Sequence, residues 1–249
     1  QAIYQRMKDN HSYSGKYHAL WRLIRKHEAT TPDVVARVET PPGDEAQVDF
    51  GYAGLMYDVR QGRVRRTWAF VMTLSWSRHQ YVEFVFDQRV ETWVECHHHA
   101  FAHFGGVPNR VVIDNLKAAI TKACFDDPQV QRSYRECAEH YGFLIAPCRV
   151  GKPQHKGKVE SGVHYVQRNF LAGRAFTDPL HNRNDATEAV LDWVRDVAGQ
   201  RIHGTTNRKP LAHVEQVERA TLQPLPATPY EVATWKCVTV PRDSHVVFD

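Results

Sequence analysis

The sequence of 249 residues predicts an α/β domain built on a mixed sheet, and two kinds of pattern lead to this prediction. Segments in which apolar and polar residues alternate, enriched in Val, Phe, Tyr and Trp, are typical of strands. Segments with apolar residues three and four positions apart are typical of helices. Along the chain these patterns give three strands, a helix, a strand, a helix, a strand and a helix, an order that favours one mixed sheet covered by helices.

The composition is that of a globular protein, with 42% hydrophobic and 24% charged residues. No apolar run is long enough to cross a bilayer, and the opening QAIYQRMKDN does not resemble a signal peptide. The five cysteines lie far apart without a C-x-x-C pair, so neither a disulfide framework nor a cysteine-based zinc finger is indicated. We therefore expect a cytoplasmic protein that is not bound to a membrane.

The first 28 residues are predicted to form two short helices, and a linker rich in proline and acidic residues is expected at 29–45. Basic residues gather in the helices and again over 149–174. This is the charge pattern of a protein that contacts phosphates. Two solvated helix faces would give the same pattern, and charge alone does not separate these alternatives.

The main domain is predicted over 46–205 and opens with AQVDFGYAG, a strand in which Val48 and Phe50 face one side and Asp49 the other. A short apolar run, NRVVID at 109–114, is expected to form a buried parallel strand. The other strands are expected at 66–75, 80–86 and 143–147, and the helices at 91–104, 129–141, 153–170 and 186–199.

The last of these helices is expected to begin at a capping-box-like pair, Asp185 and Glu188. Residues 206–228 are predicted to be a connector, at the end of which QPLPATP (223–229) has the composition of a linker. The tail at 229–249 has the pattern of strands around a PRDS turn. It is expected to be the beginning of a small β-domain.

Two aspartates stand where such a sheet would place a site. Asp49 lies in mid-strand, and Asp114 ends a parallel strand, the end at which open α/β sheets bind their ligands. If the two strands are neighbours, the carboxylates face each other and offer the hard oxygen ligands that suit Mg²⁺ or Mn²⁺. Two such ions, about 3.5–4 Å apart, can activate the attacking oxygen and stabilise the leaving oxygen in phosphoryl transfer.

A third carboxylate from another element would complete the site, and Glu160 is the candidate. Its helix carries an apolar stripe that includes Val159 and Val163, and Glu160 stands beside that stripe with Lys156 one turn earlier. Any one of these acids taken alone is more often a helix cap or a surface residue. The residue pattern by itself therefore leaves both interpretations open at each position.

Three segments, QVDFG, GGVPNRVVIDNLKAA and KPQHKGKVESGVHYVQRNFL, resemble the motif blocks of DDE transposases and integrases with a ribonuclease-H-like core. They are similar in particular to the IstA-type transposases of the insertion-sequence twenty-one family. MTLSWSRHQYVEFVF, HGTTNRKP and LQPLP also match that group, so the resemblance covers nearly the whole chain. It implies that the mixed sheet is a ribonuclease-H-like core.

The resemblance implies that Asp49, Asp114 and Glu160 are a catalytic triad holding two Mg²⁺ ions, which Mn²⁺ can replace. It implies a transposase that cleaves the 3′ ends of its element and joins them to target DNA. The protein would act on double-stranded DNA as a dimer or higher oligomer, near the bacterial nucleoid. The resemblance also implies an IstB-type ATPase as a separate partner; the chain itself has no P-loop motif.

The two ends of the chain resemble parts of modules from the same family. Residues 1–28 are similar to the end of a helix-turn-helix unit that binds the transposon end, and 229–249 to the start of a C-terminal β-barrel. The fuller N-terminal DNA-binding region is missing from this match, and the barrel is cut short. Two other functions compete: a nuclease of the same fold, against which the flanking modules argue, and an inactive DNA-binding remnant, against which the intact acids argue.

Residues around the acids and in the first helices are candidates for DNA contacts. Lys156 and Lys158 flank a catalytic acid that must meet a polyanion. Asn115 and Lys117 could equally cap the turn that follows Asp114. The full set of candidates is Lys16, Arg22, Lys26, Asn115, Lys117, Lys152, His155, Lys156, Lys158 and Arg168.

Overall fold

The computed structural model describes residues 7–8, 11, 13–27, 39–113, 120–122, 129–147 and 157–233. Contacts divide the chain into two compact units, 1–38 and 39–249. In the first unit, helix α1 spans Tyr17–His27, in the place of the second helix that the sequence predicts. None of the described helices is both long enough and apolar enough to cross a membrane.

The second unit follows the predicted order of strands and helices, with two short strands in addition. Its strands are β1 (Glu45–Asp58), β2 (Arg63–Leu74), β3 (Gln80–Val85), β4 (Arg110–Ile113), β5 (Ile120–Lys122), β6 (Gln129–Val130) and β7 (Leu144–Pro147). Its helices are α2 (Val90–Phe104), α3 (Arg132–Tyr141), α4 (Gly157–Val166), α5 (Arg183–Trp193) and α6 (Pro210–Gln216). Short π-helical turns follow α4 (Gln167–Leu171) and α5 (Val194–Ala198), and a 3-10 helix, Glu218–Thr221, follows α6.

Five strands form one mixed sheet in the order β3-β2-β1-β4-β7. Strands β1, β2 and β3 pair antiparallel, whereas β4 pairs parallel with β1 and β7 pairs parallel with β4. The parallel register aligns Ala46 with Val111 and Val48 with Ile113. β5 and β6 form a separate antiparallel pair. The mixed α/β sheet expected from the sequence is confirmed.

Alternation along the strands sends side chains into two different cores. The aromatic core lies against α2 and α3, and its rings are Phe50, Phe70, Tyr81, Trp93, Phe101, Phe104, Tyr134, Tyr141 and Phe143. The second core, which we call the α4–α5 core, comprises Ala53, Met56, Ala69, Val71, Val82, Phe84, Val163, Val166, Phe170, Phe176, Ala186, Val190, Trp193, Val194 and Ala198. The sheet is therefore buried on both faces, by different helices.

β1 and β2 are longer than the sequence pattern predicts. A β-bulge between Tyr52 and Leu55 interrupts the alternation of inward and outward side chains. Beyond the bulge the alternation resumes, and β1 and β2 stay paired as far as Asp58 and Arg63. Gly54 lies in the bulge with φ +89°, a backbone conformation that glycine adopts without strain. The interruption is the reason why alternation alone ends the first predicted strand at residue 54.

Two predicted helix boundaries are wrong. The helix expected from residue 129 begins at Arg132, because residues 129–130 form β6. The helix expected from residue 186 begins three residues earlier, and its N-cap is Asn182 rather than Asp185. Asp185 instead supplies the return bond of the capping box, accepting the N–H of Asn182 at 2.8 Å.

The predicted connector is folded and anchored to one end of the sheet. Glu218 in its 3-10 helix is buried, and its two carboxylate oxygens accept the N–H groups of Gly43 and Ser77, each at 3.2 Å. Burial raises the pKa of Glu218 above its ordinary value, while these hydrogen bonds oppose the shift. The ring of His213 stacks on Trp76 with 4.1 Å between centroids. The connector thus fixes the turn between β2 and β3 and the entry to β1.

The end of the connector and the residues that follow it contact α3. Tyr230 donates its hydroxyl to Glu136 at 3.1 Å, and the carbonyl of Thr228 lies 2.8 Å from a ring nitrogen of His140. Residues 234–249 lie outside the described residues. The start of a C-terminal β-barrel therefore stays a prediction.

Candidate active site

Asp49 lies in the middle of β1, half-buried between two residues of the aromatic core, Val48 and Phe50. Alternation therefore directs Asp49 to the opposite face, which α4 and α5 cover, as the sequence predicts. One oxygen of its carboxylate accepts the backbone N–H of Phe50 at 2.9 Å. A carboxylate bonded to its own strand is held in a defined position on this face.

The end of β4 lies beside this aspartate. Ile113, the last residue of β4, aligns with Val48, and the two strands advance in the same direction from that pair. In the sequence, Asp49 follows Val48 and Asp114 follows Ile113. Asp114 lies outside the described residues, so its contacts stay a prediction.

Helix α4 contains Glu160, although the side chain of Glu160 lies outside the description. The helix approaches β1 so closely that a Cβ atom built at Gly51 would collide with Cγ1 of Val163. Gly51 comes two residues after Asp49, and Val163 comes three residues after Glu160. The close contact between α4 and β1 therefore lies a few residues after Asp49 on the strand and a few residues after Glu160 on the helix.

α4 and β1 run in the same direction. Beyond the close contact, the side-chain amide of Gln167 donates to the backbone carbonyl of Tyr52 at 2.9 Å. Backwards along the helix, Glu160 precedes Val163 by three residues, a rise of about 4.5 Å. Backwards along the strand, Asp49 precedes the contacted glycine by two residues. The described backbone thus brings the Glu160 position and Asp49 to the same part of the sheet.

Buried polar side chains line the sheet next to this region. The side-chain amide of Gln80 on β3 donates to the hydroxyl of Thr73 on β2 at 3.2 Å, and a Cβ at Gly162 of α4 would meet both groups. On β1, the amide of Gln47 donates to Glu45 at 3.1 Å. Polar residues at strand positions that face the interior are unusual. They are the sequence signal that could have indicated this polar region beside the site, and the motifs alone do not reveal it.

Arg110 at the start of β4 ties the parallel strands together. Its guanidinium contacts the carboxylates of Asp44 at 3.0 Å and Glu45 at 3.2 Å. Glu45 also accepts the hydroxyl of Ser75, which follows β2, at 2.7 Å. These contacts favour the register that sets the end of β4 beside Asp49. The sequence analysis missed this role for Arg110.

The run of histidines on α2 serves the fold. His97 is fully buried, its ring bonds to the carbonyl of Trp93 at 2.7 Å, and burial lowers the pKa of His97 to about 3. His99 pairs with Glu83 at 3.0 Å, and this hydrogen bond raises the pKa of His99. Within the described residues, no three His, Cys, Asp or Glu side chains form a possible metal-binding group. Two of the three predicted metal ligands, Asp114 and Glu160, have side chains outside that description.

A few of the predicted DNA-contact residues fall within the described part of the chain. Arg168 is exposed on the π-helical turn after α4, and Lys16 and Arg22 are exposed in the first unit. Lys26 and Lys158 lie in α1 and α4, with side chains outside the description. Their roles stay predictions, as do those of the candidates outside the described residues: Asn115, Lys117, Lys152, His155 and Lys156.

Known proteins are similar to this chain in sequence and in fold. Residues 40–153 match the family model of the integrase core domain. The chain is 37% identical to the putative transposase Rv3428c of Mycobacterium tuberculosis, an alignment covering 98% of this chain and 60% of the relative. It is 31% identical to the transposase for insertion sequence element IS21 of Pseudomonas aeruginosa, covering 84% of this chain and 52% of the relative. The chain belongs to the IS21-type transposases.

This IS21-type chain spans 60% and 52% of the lengths of those two relatives. Its fold also matches a chain in the cryo-EM structure of the simian T-cell lymphotropic virus intasome in complex with PP2A regulatory subunit B56 gamma. The TM-score is 0.52 at 14% identity, over 78% of this chain and 61% of that chain. At this identity the likeness concerns the fold alone, and the predicted ribonuclease-H-like core is confirmed.

Proposed function

We propose that the chain is the catalytic part of a DDE transposase that cleaves the 3′ ends of its element and joins them to target DNA. The observation that carries the proposal is a convergence of backbone positions. Asp49 lies on β1, β4 ends beside it immediately before Asp114, and α4 carries Glu160 past the same point. The match of 40–153 to the integrase core domain supports the same assignment.

We assign to Asp49, Asp114 and Glu160 the binding of divalent cations, two Mg²⁺ ions for which Mn²⁺ can substitute. The donor set fits, because carboxylate oxygens are the ligands that these hard cations prefer, and Asp49 is held by its bond to the Phe50 N–H. When bound, a pair of such cations activates the attacking oxygen and stabilises the leaving oxygen of an in-line displacement.

The proposed reaction consists of two displacements at phosphorus. In the first, a water oxygen bonds to the phosphorus at the element's 3′ end while the bond to the 3′ oxygen breaks, leaving a free 3′-hydroxyl. In the second, that hydroxyl oxygen attacks a phosphodiester of the target, and the target's own 3′ oxygen leaves. The second step exchanges one phosphodiester for another, so its chemistry needs no ATP. The chain contributes by positioning the three acids. The close contact of α4 with β1 and the ion pairs of Arg110 hold together the elements that carry them.

The proposed partners are double-stranded DNA, further copies of the chain and an IstB-type ATPase, in the bacterial cytoplasm at the nucleoid. One set of three acids acts on one strand at a time, whereas both ends of an element must be inserted together. At least two subunits are therefore required, and equivalent ends favour a two-fold relation between them. We assign the predicted basic residues, among them the exposed Lys16, Arg22 and Arg168, to contacts with the DNA backbone.

The direct test is a joining assay. The full-length protein is incubated with labelled DNA that carries the ends of its element, a plasmid target and Mg²⁺. We expect products in which the labelled end is joined to the plasmid, no product with EDTA, and recovery with Mn²⁺. Cleavage without joining would support a nuclease of the same fold instead. DNA binding with neither reaction would support an inactive remnant.

A further inference from the structure

The far end of the β1–β2 hairpin extends beyond the rest of the sheet. β1 and β2 remain paired as far as Asp58 and Arg63. In contrast, β3 pairs with β2 only from Trp68 onwards, and β4 pairs with β1 only up to Val48. Residues 52–68 thus form a two-stranded projection, which we call the arginine ribbon.

One face of the arginine ribbon is covered by the protein itself. Met56 is buried there and forms a bridge with Phe176 of the segment after α4. On the same face, Arg65 pairs with the buried carboxylate of Asp58 at 2.7 Å. Towards its base this face is therefore packed, and Arg65 is neutralised there. Arg63, the register partner of Asp58, lies on the same side but is exposed at the tip.

The opposite face of the arginine ribbon is open. Tyr52, Leu55 and Val64 expose 44%, 55% and 42% of their surfaces there. Arg66 is exposed on the same face, and its guanidinium lies 4.9 Å from the ring centroid of Tyr52 and 4.7 Å from that of Trp68. The two rings hold the charged group in place without neutralising it.

The segment that contains the arginine ribbon is strongly basic. Between residues 50 and 74 the sequence has four arginines and one aspartate, a net charge of +3, compared with +4 for the whole chain. The aspartate is the one paired with Arg65. At the tip, Arg60 and Arg63 are exposed, and Arg63 is oriented by bonds of 2.8 and 3.0 Å to the side chain of Gln61.

From this charge and shape we propose that the arginine ribbon binds the backbone of double-stranded DNA, with Arg60, Arg63 and Arg66 contacting phosphates. Guanidinium groups match phosphate in geometry, and each is worth more when it is oriented before binding. A polyanion complements the arginine ribbon, whereas a second copy of the same basic surface would repel it.

The proposal rests on the proposed function for duplex DNA as the partner, but it needs none of the catalytic acids. Binding is therefore measured in EDTA, where strand cleavage and joining do not occur. The full-length protein is compared with an Arg60→Gln/Arg63→Gln variant, on one duplex with the element's ends and one of random sequence. The matched control is Arg132→Gln/Arg195→Gln, which removes the same charge from two exposed arginines on α3 and after α5.

The measured quantity is the slope of log affinity against log salt, by fluorescence anisotropy. Each lost phosphate contact should reduce the slope by about 0.9, so the double variant should lose about 1.8 on both duplexes. The control variant should keep the wild-type slope. Unchanged slopes in the ribbon variant, or equal losses in both variants, would overturn the proposal. So would a loss on the end-bearing duplex alone, or a change confined to self-association in light scattering.

This design separates the two proposals. If the slope falls as expected but the joining assay gives no product, the arginine ribbon binds DNA and the catalytic assignment fails. If joining occurs and the slope stays at its wild-type value, the catalytic assignment stands and the arginine ribbon has no role in binding DNA.

Discussion

The two faces of the five-stranded sheet are lined by different kinds of side chain. Against α2, the rings of Phe50, Phe70 and Trp93 meet one another with centroid distances of 5.4 to 5.7 Å. Against α4, the same strand β1 presents Asp49 and Gly51, and the helix lies almost on the backbone. One face is filled by large interlocking rings. The other also contains rings, but where α4 crosses β1 it is narrow and partly polar.

We infer that the two faces have different roles: one supplies much of the stability of the fold, and the other positions the proposed catalytic acids. Large aromatic side chains bury about 150–250 Å² each, so the aromatic core supplies much of the apolar burial. The α4 face buries smaller groups next to the proposed site, and its geometry depends on one close helix contact. Changes in the aromatic core should therefore lower stability, whereas changes under α4 should lower activity in protein that is still folded.

The largest effect on stability is expected from Phe101→Ala. Phe101 is fully buried on α2 and contacts the rings of Tyr141 at 5.2 Å and Phe143 at 5.5 Å. Removal of a buried phenyl ring should lower the free energy of unfolding, measured in urea, by about 3–5 kcal/mol. Joining per folded molecule should stay at its wild-type level. The control is Leu180→Ala, whose side chain is 83% exposed and whose removal should cost less than about 0.5 kcal/mol.

A loss of joining in Phe101→Ala that exceeds the loss of folded protein would break the separation between the two faces. The comparison therefore needs the folded fraction under assay conditions, measured by circular dichroism on the same sample.

Gly51→Ala tests the other face. The added Cβ would meet Cγ1 of Val163, a branched side chain that has little freedom to retreat, so α4 should shift outwards. A displacement approaching 1 Å at a catalytic group can reduce the rate about 10²-fold, and overpacking should cost about 1–3 kcal/mol of stability. Gly204→Ala is the control, because a Cβ at Gly204 meets nothing within 4 Å.

Rescue makes this prediction specific. Val163→Ala removes the atom that the new Cβ would meet, so Gly51→Ala/Val163→Ala should recover much of the joining lost in Gly51→Ala. Wild-type joining in Gly51→Ala, or a double variant no better than the single one, would show that this contact does not position the site.

The smallest of these effects concerns the neutral histidine of the aromatic core. Burial lowers the pKa of His97 to about 3 from its ordinary 6.5, so between these values the unfolded chain binds a proton that the folded chain does not. The free energy of unfolding should therefore have its full value above about pH 6.5. Below that pH it should fall by about 1.4 kcal/mol per pH unit for one such proton. His97→Gln should show a shallower fall between about pH 6 and 4. His181→Gln, at an exposed site, should keep the wild-type slope.

Some acid dependence should remain in His97→Gln, because burial also lowers the pKa of His79 to about 3. Identical pH slopes in the wild type and His97→Gln would show that His97 does not titrate as its burial requires.

The parts of the fold that could be predicted are those set by local patterns. The face of Asp49 follows from its two neighbours, Val48 and Phe50, because side chains on a strand alternate. The parallel strand β4 follows from the short apolar run that precedes Asp114. The strand or helix to which each acid belongs can therefore be predicted from a few short segments.

The parts that could not be predicted depend on contacts between distant residues. Glu218 is bonded to groups that lie 175 and 141 residues away in the sequence, and no local pattern distinguishes it from other connector acids. The bulge before Leu55 breaks the alternation that would have shown the full length of β1. Asn182 and Asp185 are both acceptable N-caps, and in the structure the helix begins after Asn182 while Asp185 completes the capping box.

The central claim is that three carboxylates carry out the chemistry, and charge removal at constant shape tests it most directly. Asp49→Asn, Asp114→Asn and Glu160→Gln are each measured for strand joining and for binding to end-bearing DNA, beside Glu91→Gln, a control acid exposed on α2. Joining should fall at least about 10²-fold in the three variants, while binding survives because phosphate contacts elsewhere supply it. Glu91→Gln should retain joining. Near-normal joining in any of the three variants would remove that residue from the triad, and near-normal joining in all three would contradict the account.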